Sequence, residues 1–494
     1  MSGTVLTAMG PVTRLLLDAN IGFVFSSRGD RRCYELGRLQ FQRSCLPAFA
    51  ILCAAILWPI NKPAAADERL FEENATGNWG GARSRSQEAG IDFEMSDIAE
   101  VLGNPTGGIR QLTIYEGLLK PSLNLDLEKL ANWPGASFYV DGLQISGRGL
   151  SRNAIGNLLA VSNIEALPST RLHDLWLQQE SLDRQASLRV GQIALDDEFY
   201  VSQYSANFIN STFGCPDLLS TDLPSGGPCY PFATPGARLR LPAAEGLTFS
   251  AVAFNGNPAP PGPGDPQVRN SSGTNFLIGE GGFLTMGELA YRFDIPRSSP
   301  NPMSDIKLGG WYHTAGFPDL RRDTLGRSLA DSASTGIAAT HQGDFGIYAV
   351  IDKVVWQPLD TGAQALATFV RAGYAPPDRN LLSLEVDAGM TYTGLFPGRD
   401  TDMLGIAISY GRIGNAARLD RDVVLFTGVE RPTRDYEAVL EITYKGQIAP
   451  WWVLQPDLQL VFHPGGHIAA PSPAPMGRSI PDALVLGLRS TITF

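Results

Sequence analysis

The sequence predicts an all-β fold, a transmembrane antiparallel β-barrel of about sixteen strands with loops folded inward. Three observations predict it. Beyond the first 66 residues, no stretch approaches the roughly 20 consecutive apolar residues that a membrane helix requires. Apolar residues instead recur with a period of two in segments of about ten residues, enough to cross a bilayer as a tilted strand. The chain also begins with an export signal and stops on one of these alternating segments, ALVLGLRSTITF. In that segment Leu484, Leu486, Leu488, Ser490, Ile492 and Phe494 share one face, and Val485, Gly487, Arg489, Thr491 and Thr493 share the other. An edge strand closing a soluble sandwich is the alternative reading, but a dozen alternating residues exceed the usual strand of a soluble domain.

At the N-terminus, Arg31, Arg32, Arg38 and Arg43 precede a short apolar run that Pro47 and Pro59 interrupt, and Ala64, Ala65 and Ala66 follow it. Basic region, apolar region and small-residue site in that order make a secretory signal, with cleavage expected after Ala66. A retained anchor fits less well, because of the two prolines and the small residues. Residues 1–30 have no place in such a signal and point to a start codon further along. The expected organisation is an extension and signal over 1–66, a periplasmic segment over 67–90, and the barrel over 91–494.

Removing residues 1–66 takes seven of the 39 basic and three of the 50 acidic residues, leaving 32 against 47, a net charge of −15. That excludes a nucleic-acid partner of the ordinary basic kind. Only Cys215 and Cys229 of the five cysteines remain, flanking PDLLSTDLPSGGP. In an exported protein the pair suggests one disulfide stapling a polar loop, with two free thiols as the alternative.

The period-two pattern repeats along the chain. Leu123, Leu125 and Leu127 alternate with Asn124, Asp126 and Glu128; Leu382, Leu384, Val386, Ala388, Met390 and Tyr392 oppose Ser383, Glu385, Asp387 and Thr391. Tyr436, Ala438, Leu440, Ile442 and Tyr444 oppose Glu437, Glu441, Thr443 and Lys445, while Leu458, Leu460 and Phe462 oppose Asp457, Gln459 and His463. Further strands are expected near Ile91, Ser137, Leu172, Leu188, Ala237, Leu247, Leu284, Ile306, Phe345, Leu366 and Met403. Aromatic residues such as Tyr392, Phe396, Trp451, Trp452 and Phe494 fall at segment ends, where a membrane barrel carries its interfacial girdles. The oily parity is expected to face lipid and the charged parity to line water. Gly- and Pro-rich connections separate the strands, the longest covering 255–282.

Motifs of enzymes are absent from the sequence: no G-x-S-x-G, no H-E-x-x-H, no phosphate-cradling glycine loop. A barrel esterase with a Ser-His pair hidden from the sequence, and a secreted sugar-binding sandwich, are the competing classes. His463 and His467 are four apart but straddle Pro464-Gly-Gly, which rules out a regular helix presenting both to a metal; they read as loop residues, and neither a metal nor another cofactor is expected.

The blocks NWGGARSRSQEAGIDFEM (78–95), LDLEKLANWPGASFYVDG (125–142), VGQIALDDEFYVSQYSANFINSTFG (190–214), AVAFNGNP (251–258) and YEAVLEITYKGQIAPWWVLQPDLQLVFHPGG (436–466) resemble, in order, those of the OprB-type carbohydrate-selective porins. The resemblance implies a sixteen-stranded outer-membrane barrel through which sugars diffuse passively into the periplasm, with a general diffusion porin as the runner-up. The Cys215–Cys229 loop departs from that pattern. Outer-membrane lipid, lipopolysaccharide and the barrel-assembly machinery are the implied surroundings, with self-association of barrels left open and Phe494 expected as the assembly signal.

Selectivity for a neutral polyol requires carboxylates and guanidiniums that exchange hydrogen bonds with hydroxyls, and aromatic faces that lie against C–H surfaces. The densest such cluster is ALDDEFYVSQY, with Asp196, Asp197, Glu198, Tyr200 and Tyr204 immediately after a strand. Arg238 with Arg240, Glu288 with Arg292, and Tyr139 with Asp141 occupy the water-facing parity of their strands and complete the expected pathway.

Overall fold

The structure, a computed structural model, describes residues 73–494 apart from 182, 184, 294–303, 359–363 and 472–476. The signal and its cleavage point at Ala66 lie outside the described residues. Sixteen strands follow one another: β1 (Ile91–Thr106), β2 (Thr113–Asp126), β3 (Ala136–Gly147), β4 (Ser169–Glu180), β5 (Ser187–Ile193), β6 (Thr234–Ala244), β7 (Leu247–Asn255) and β8 (Phe283–Phe293). The second half comprises β9 (Ser304–Asp323), β10 (Ala338–Trp356), β11 (Ala365–Tyr374), β12 (Leu382–Thr393), β13 (Met403–Ile413), β14 (Tyr436–Ala449), β15 (Trp452–Phe462) and β16 (Ala483–Thr493). Each pairs antiparallel with its sequence neighbours, and β16 pairs with β1, from Ser96 opposite Thr493 to Thr106 opposite Leu484. Closure leaves no edge, the condition for a sheet to exist in hydrocarbon.

The predicted parity sets which face meets lipid. Ile408 on β13 is 49% exposed, whereas Glu441 on the neighbouring β14 is fully buried. Leu175, Leu177, Leu188, Val190, Leu239 and Leu289 likewise stand outward in contiguous rows. So large an apolar surface is stable only in lipid, since hiding each such side chain from water is worth about 1.5–3 kcal/mol. Aromatic pairs mark the ends of this belt. Trp356 stacks on Tyr392 and Trp451 on Trp452 at the rim where β1 begins and β16 ends, and Tyr410 stacks on Tyr436 at the opposite rim.

Three expectations change. Strand lengths run from 7 residues in β5 to 20 in β9, so the wall is far from uniform in height. Strand β2 stops at Asp126, whose carboxylate accepts from the backbone N–H of Glu128 and Lys129 and starts a helix at Leu127; Leu127 and Glu128 therefore leave the alternating pattern. The inner wall is also not wet throughout. Leu118, Leu143 and Ile145 turn inward beneath Ile164, and Phe254, Leu284, Met286, Val350 and Phe369 do the same on other strands. They bury apolar surface because two long connections, 148–168 and 194–233, fold into the barrel and pack against them. Both leave the rim opposite the start of β1 and the end of β16, where the connections are long. At the rim where β1 begins and β16 ends they shrink to two residues between β14 and β15, the pattern of short periplasmic turns and long external loops.

Candidate solute pathway

A loop inside a barrel carries backbone donors and acceptors that no sheet neighbour satisfies, and each must find a partner. The inward carboxylates of the wall supply the acceptors. Glu441 accepts from the N–H of Ile209 (2.7 Å) and Asn210 (2.9 Å), Glu288 from Tyr200 (3.0 Å), and Asp352 from Gln203 (3.0 Å). Glu385 takes the N–H of Asp217 (3.1 Å) and Leu218, and Glu437 reaches the other loop at Leu159 (2.7 Å). Arg371 supplies donors in return, to the carbonyls of Tyr200 (3.3 Å), Gly214 (3.0 Å) and Thr212, while paired to Asp387 at 2.8 Å. Many charges on the water-facing parity therefore hold the loop and do not face open water.

The loop segment 196–198 borders two cavities. Asp196 and Asp197 line one of about 860 Å³, together with Lys120, His173 and Arg489. Glu198 lines another of about 520 Å³, with Arg240, Glu288, Arg292, Asp305 and Lys307. Glu198 is gripped by two arginines, Arg189 at 2.9 Å and Arg238 at 2.8 Å. Those arginines face each other across β5 and β6, and Gln178 accepts from both. Trp176 roofs this group: Arg189 lies over its indole at 3.8 Å, and Tyr139 stacks on it at 5.1 Å between centroids. Burial pushes the Asp196 carboxyl up to about 6, and the neighbouring charge of Asp197 adds to the rise.

The sequence-predicted residues divide. Asp196, Asp197, Glu198, Arg240, Arg292 and Tyr204 line cavities, Tyr204 a third of about 480 Å³ with Asn207 and Lys445. Tyr200 lines none of these three: it is fully buried, stacked on Tyr348 at 4.1 Å, and serves as an anchor. Arg238 and Asp141 are buried supports too, Asp141 holding Lys120 (2.8 Å), the Asp174 N–H (2.7 Å) and the Tyr139 hydroxyl (3.1 Å). Glu288 is nearly buried and divides its carboxylate between the Tyr200 N–H and the Tyr348 hydroxyl (3.0 Å). Sequence reasoning missed Trp176, Gln178 and Arg189. The signal was present, since Trp176 and Gln178 oppose Leu175 and Leu177, and Arg189 sits between Leu188 and Val190. Cys215 and Cys229 are joined, with Cα atoms 6.0 Å apart, and both border the largest of these cavities.

The model of the carbohydrate-selective porin, OprB family, matches residues 110–494, most of the chain. The chain belongs to that family. A curated relative, Porin B of Pseudomonas aeruginosa, is 24% identical over 408 residues, 79% of this chain and 87% of the relative. The high-pH structure of Pseudomonas putida OprB superposes with a TM-score of 0.75 at 20% identity, over 86% of this chain and 99% of that one; the low-pH structure gives 0.52 at 15% over the same shares. This OprB-family member is an outer-membrane carbohydrate porin. Its family and its curated relative are porins, that is, channels.

Proposed function

We propose that sugars up to small oligosaccharides pass this porin at the segment 196–198, beside the Trp176–Tyr139 stack, and that Glu198, Arg189 and Arg240 exchange hydrogen bonds with their hydroxyls. The observation that carries the reading is that Asp197 and Glu198, adjacent in sequence, border different cavities. A solute moving from one to the other along this segment meets both. The chemistry there suits a neutral polyol: carboxylate acceptors and guanidinium donors for hydroxyls, beside an aromatic stack. Contacts of this kind are individually weak and replaceable by water, so a sugar can leave as readily as it arrives.

Planar-bilayer conductance of the purified barrel, with mono- and disaccharides titrated in, tests this. The expected result is concentration-dependent block of the ion current, with Trp176→Ala weakening the block about three- to tenfold, from the loss of roughly 1 kcal/mol of aromatic contact. Current that no sugar reduces would make this a general diffusion pore at that point of the channel. Block unchanged by Trp176→Ala would move the contact elsewhere. Recognition of Phe494 by the barrel-assembly machinery belongs to the same proposal.

A further inference from the structure

A second cluster lies at the outer rim, where the connection 414–435 meets the connection 463–482. The four-residue spacing of His463 and His467 cannot work through a regular helix, and the structure uses another route. Gly465 and Gly466 are left-handed (φ 68° and 72°), as are the two histidines (φ 52° and 72°), and the His467 N–H closes the turn on the His463 carbonyl at 2.9 Å. This tight turn lays one imidazole over the other, with centroids 4.4 Å apart and planes 17° apart. The turn is fixed from outside as well: Asp482 accepts from the His463 N–H (2.8 Å), Glu437 accepts from the Gly465 N–H (2.6 Å), and Tyr436 covers the other side of His463.

Asp435 completes the group. Its carboxylate meets His463 Nδ1 at 2.9 Å and His467 Nδ1 at 4.0 Å, and all three ligating atoms lie within 4.8 Å of one another. The adjacent Arg434 is turned away and paired with Asp420 at 2.7 Å, so it does not compete for Asp435. A left-handed backbone is uncommon for any residue with an L side chain, although histidine adopts it more readily than most, and here two histidines do so within five residues. A turn whose only task was to reverse the chain would be served by glycine or asparagine.

We propose that Asp435, His463 and His467 bind a divalent transition ion of the zinc, nickel or copper type at the external mouth, tying the connection 414–435 to the connection 463–482. Two imidazoles and one carboxylate make a ligand set that prefers these ions to magnesium or calcium, which favour all-oxygen sites. Small side-chain rotations would turn both Nδ1 atoms onto one ion, with water filling the remaining positions. Part-exposure of all three groups at the rim gives an ion direct access from outside.

The test uses the mature barrel without a polyhistidine tag, titrated with Zn2+ calorimetrically and with Co2+ by visible absorption, with Mg2+ as the control. The expected result is one Zn2+ per barrel, Co2+ bands of a site with nitrogen ligands, and no competition by Mg2+. His467→Asn removes the imidazole while keeping a residue that tolerates the left-handed backbone, and should weaken Zn2+ more than about tenfold, since loss even of an outer-sphere partner costs that much. Asp435→Asn, which alters neither histidine nor the turn, should also weaken it. Unchanged sugar block in both variants would confirm that the barrels are folded and the pathway separate. No stoichiometric Zn2+ binding by the wild-type barrel, or equal affinity in the wild type and both variants, would overturn the proposal.

Discussion

Glu198 reconciles two arginines that strand pairing places face to face. Arg189 and Arg238 occupy opposite positions on β5 and β6, an arrangement that is destabilising for like charges, and the Glu198 carboxylate lies between them. Glu198→Gln keeps the shape and removes the charge. The expected outcome is a loss of about 1–3 kcal/mol in loop stability and a shift of ion selectivity towards anions, read from reversal potentials in a salt gradient. Asp196 adds a pH dependence whose sign is fixed by its raised pKa. With a carboxyl near 6, it is mostly charged at pH 7.5 and mostly neutral at pH 5, so cation preference should fall as pH drops through about 6. Asp196→Asn should remove that component of the titration, so that selectivity changes less between pH 7.5 and pH 5 in the variant than in the wild type; an identical pH profile in both would show that the charge elsewhere decides.

At the scale of elements, the inward loop 194–233 behaves as a plug held by point contacts rather than by a ladder. Glu441 supplies two of those contacts and is fully buried. Glu441→Ala leaves the donors of Ile209 and Asn210 without acceptors, at about 1–3 kcal/mol each, while the β13–β14–β15 ladder keeps its backbone bonds. Larger single-channel conductance with weaker sugar block is expected, together with faster protease cleavage between 194 and 233. The disulfide constrains the same loop, since Cys215 and Cys229 bracket the helix Asp217–Ser220; Cys215→Ser with Cys229→Ser should increase current noise without preventing barrel assembly. The strands were legible in the sequence because parity is local: Leu384 and Glu385 declare their faces without reference to anything distant. The anchoring roles of Glu385, Glu441 and Arg371 were not, because their partners lie more than 150 residues away in a loop whose path no periodicity describes. The inward apolar patch of Leu143 and Ile145 was hidden for a related reason: its cover, Ile164, lies only about 20 residues on, but in a loop whose inward path no periodicity describes.

For the whole molecule, closure and assembly make different demands on the last strand. Closure depends on the register of β16 against β1 and β15, two full ladders in which Phe494 contributes a single backbone hydrogen bond, to Met95 at 2.8 Å. The segment before β1 rests on the same corner, with the Ala75 N–H bonded to the Thr493 carbonyl at 2.8 Å. Deleting Phe494 therefore removes about 1 kcal/mol of hydrogen bonding from a wall held by sixteen paired strands, too little to open it. If the terminal aromatic is what the assembly machinery reads, the deletion should instead cut the amount of heat-modifiable barrel in the outer-membrane fraction severalfold, while each assembled molecule keeps its conductance and sugar block. The two quantities separate the roles. Normal yield with normal conductance would leave Phe494 without an assembly function, and normal yield with altered conductance would mean that the last residue matters to the closed wall more than its one hydrogen bond implies.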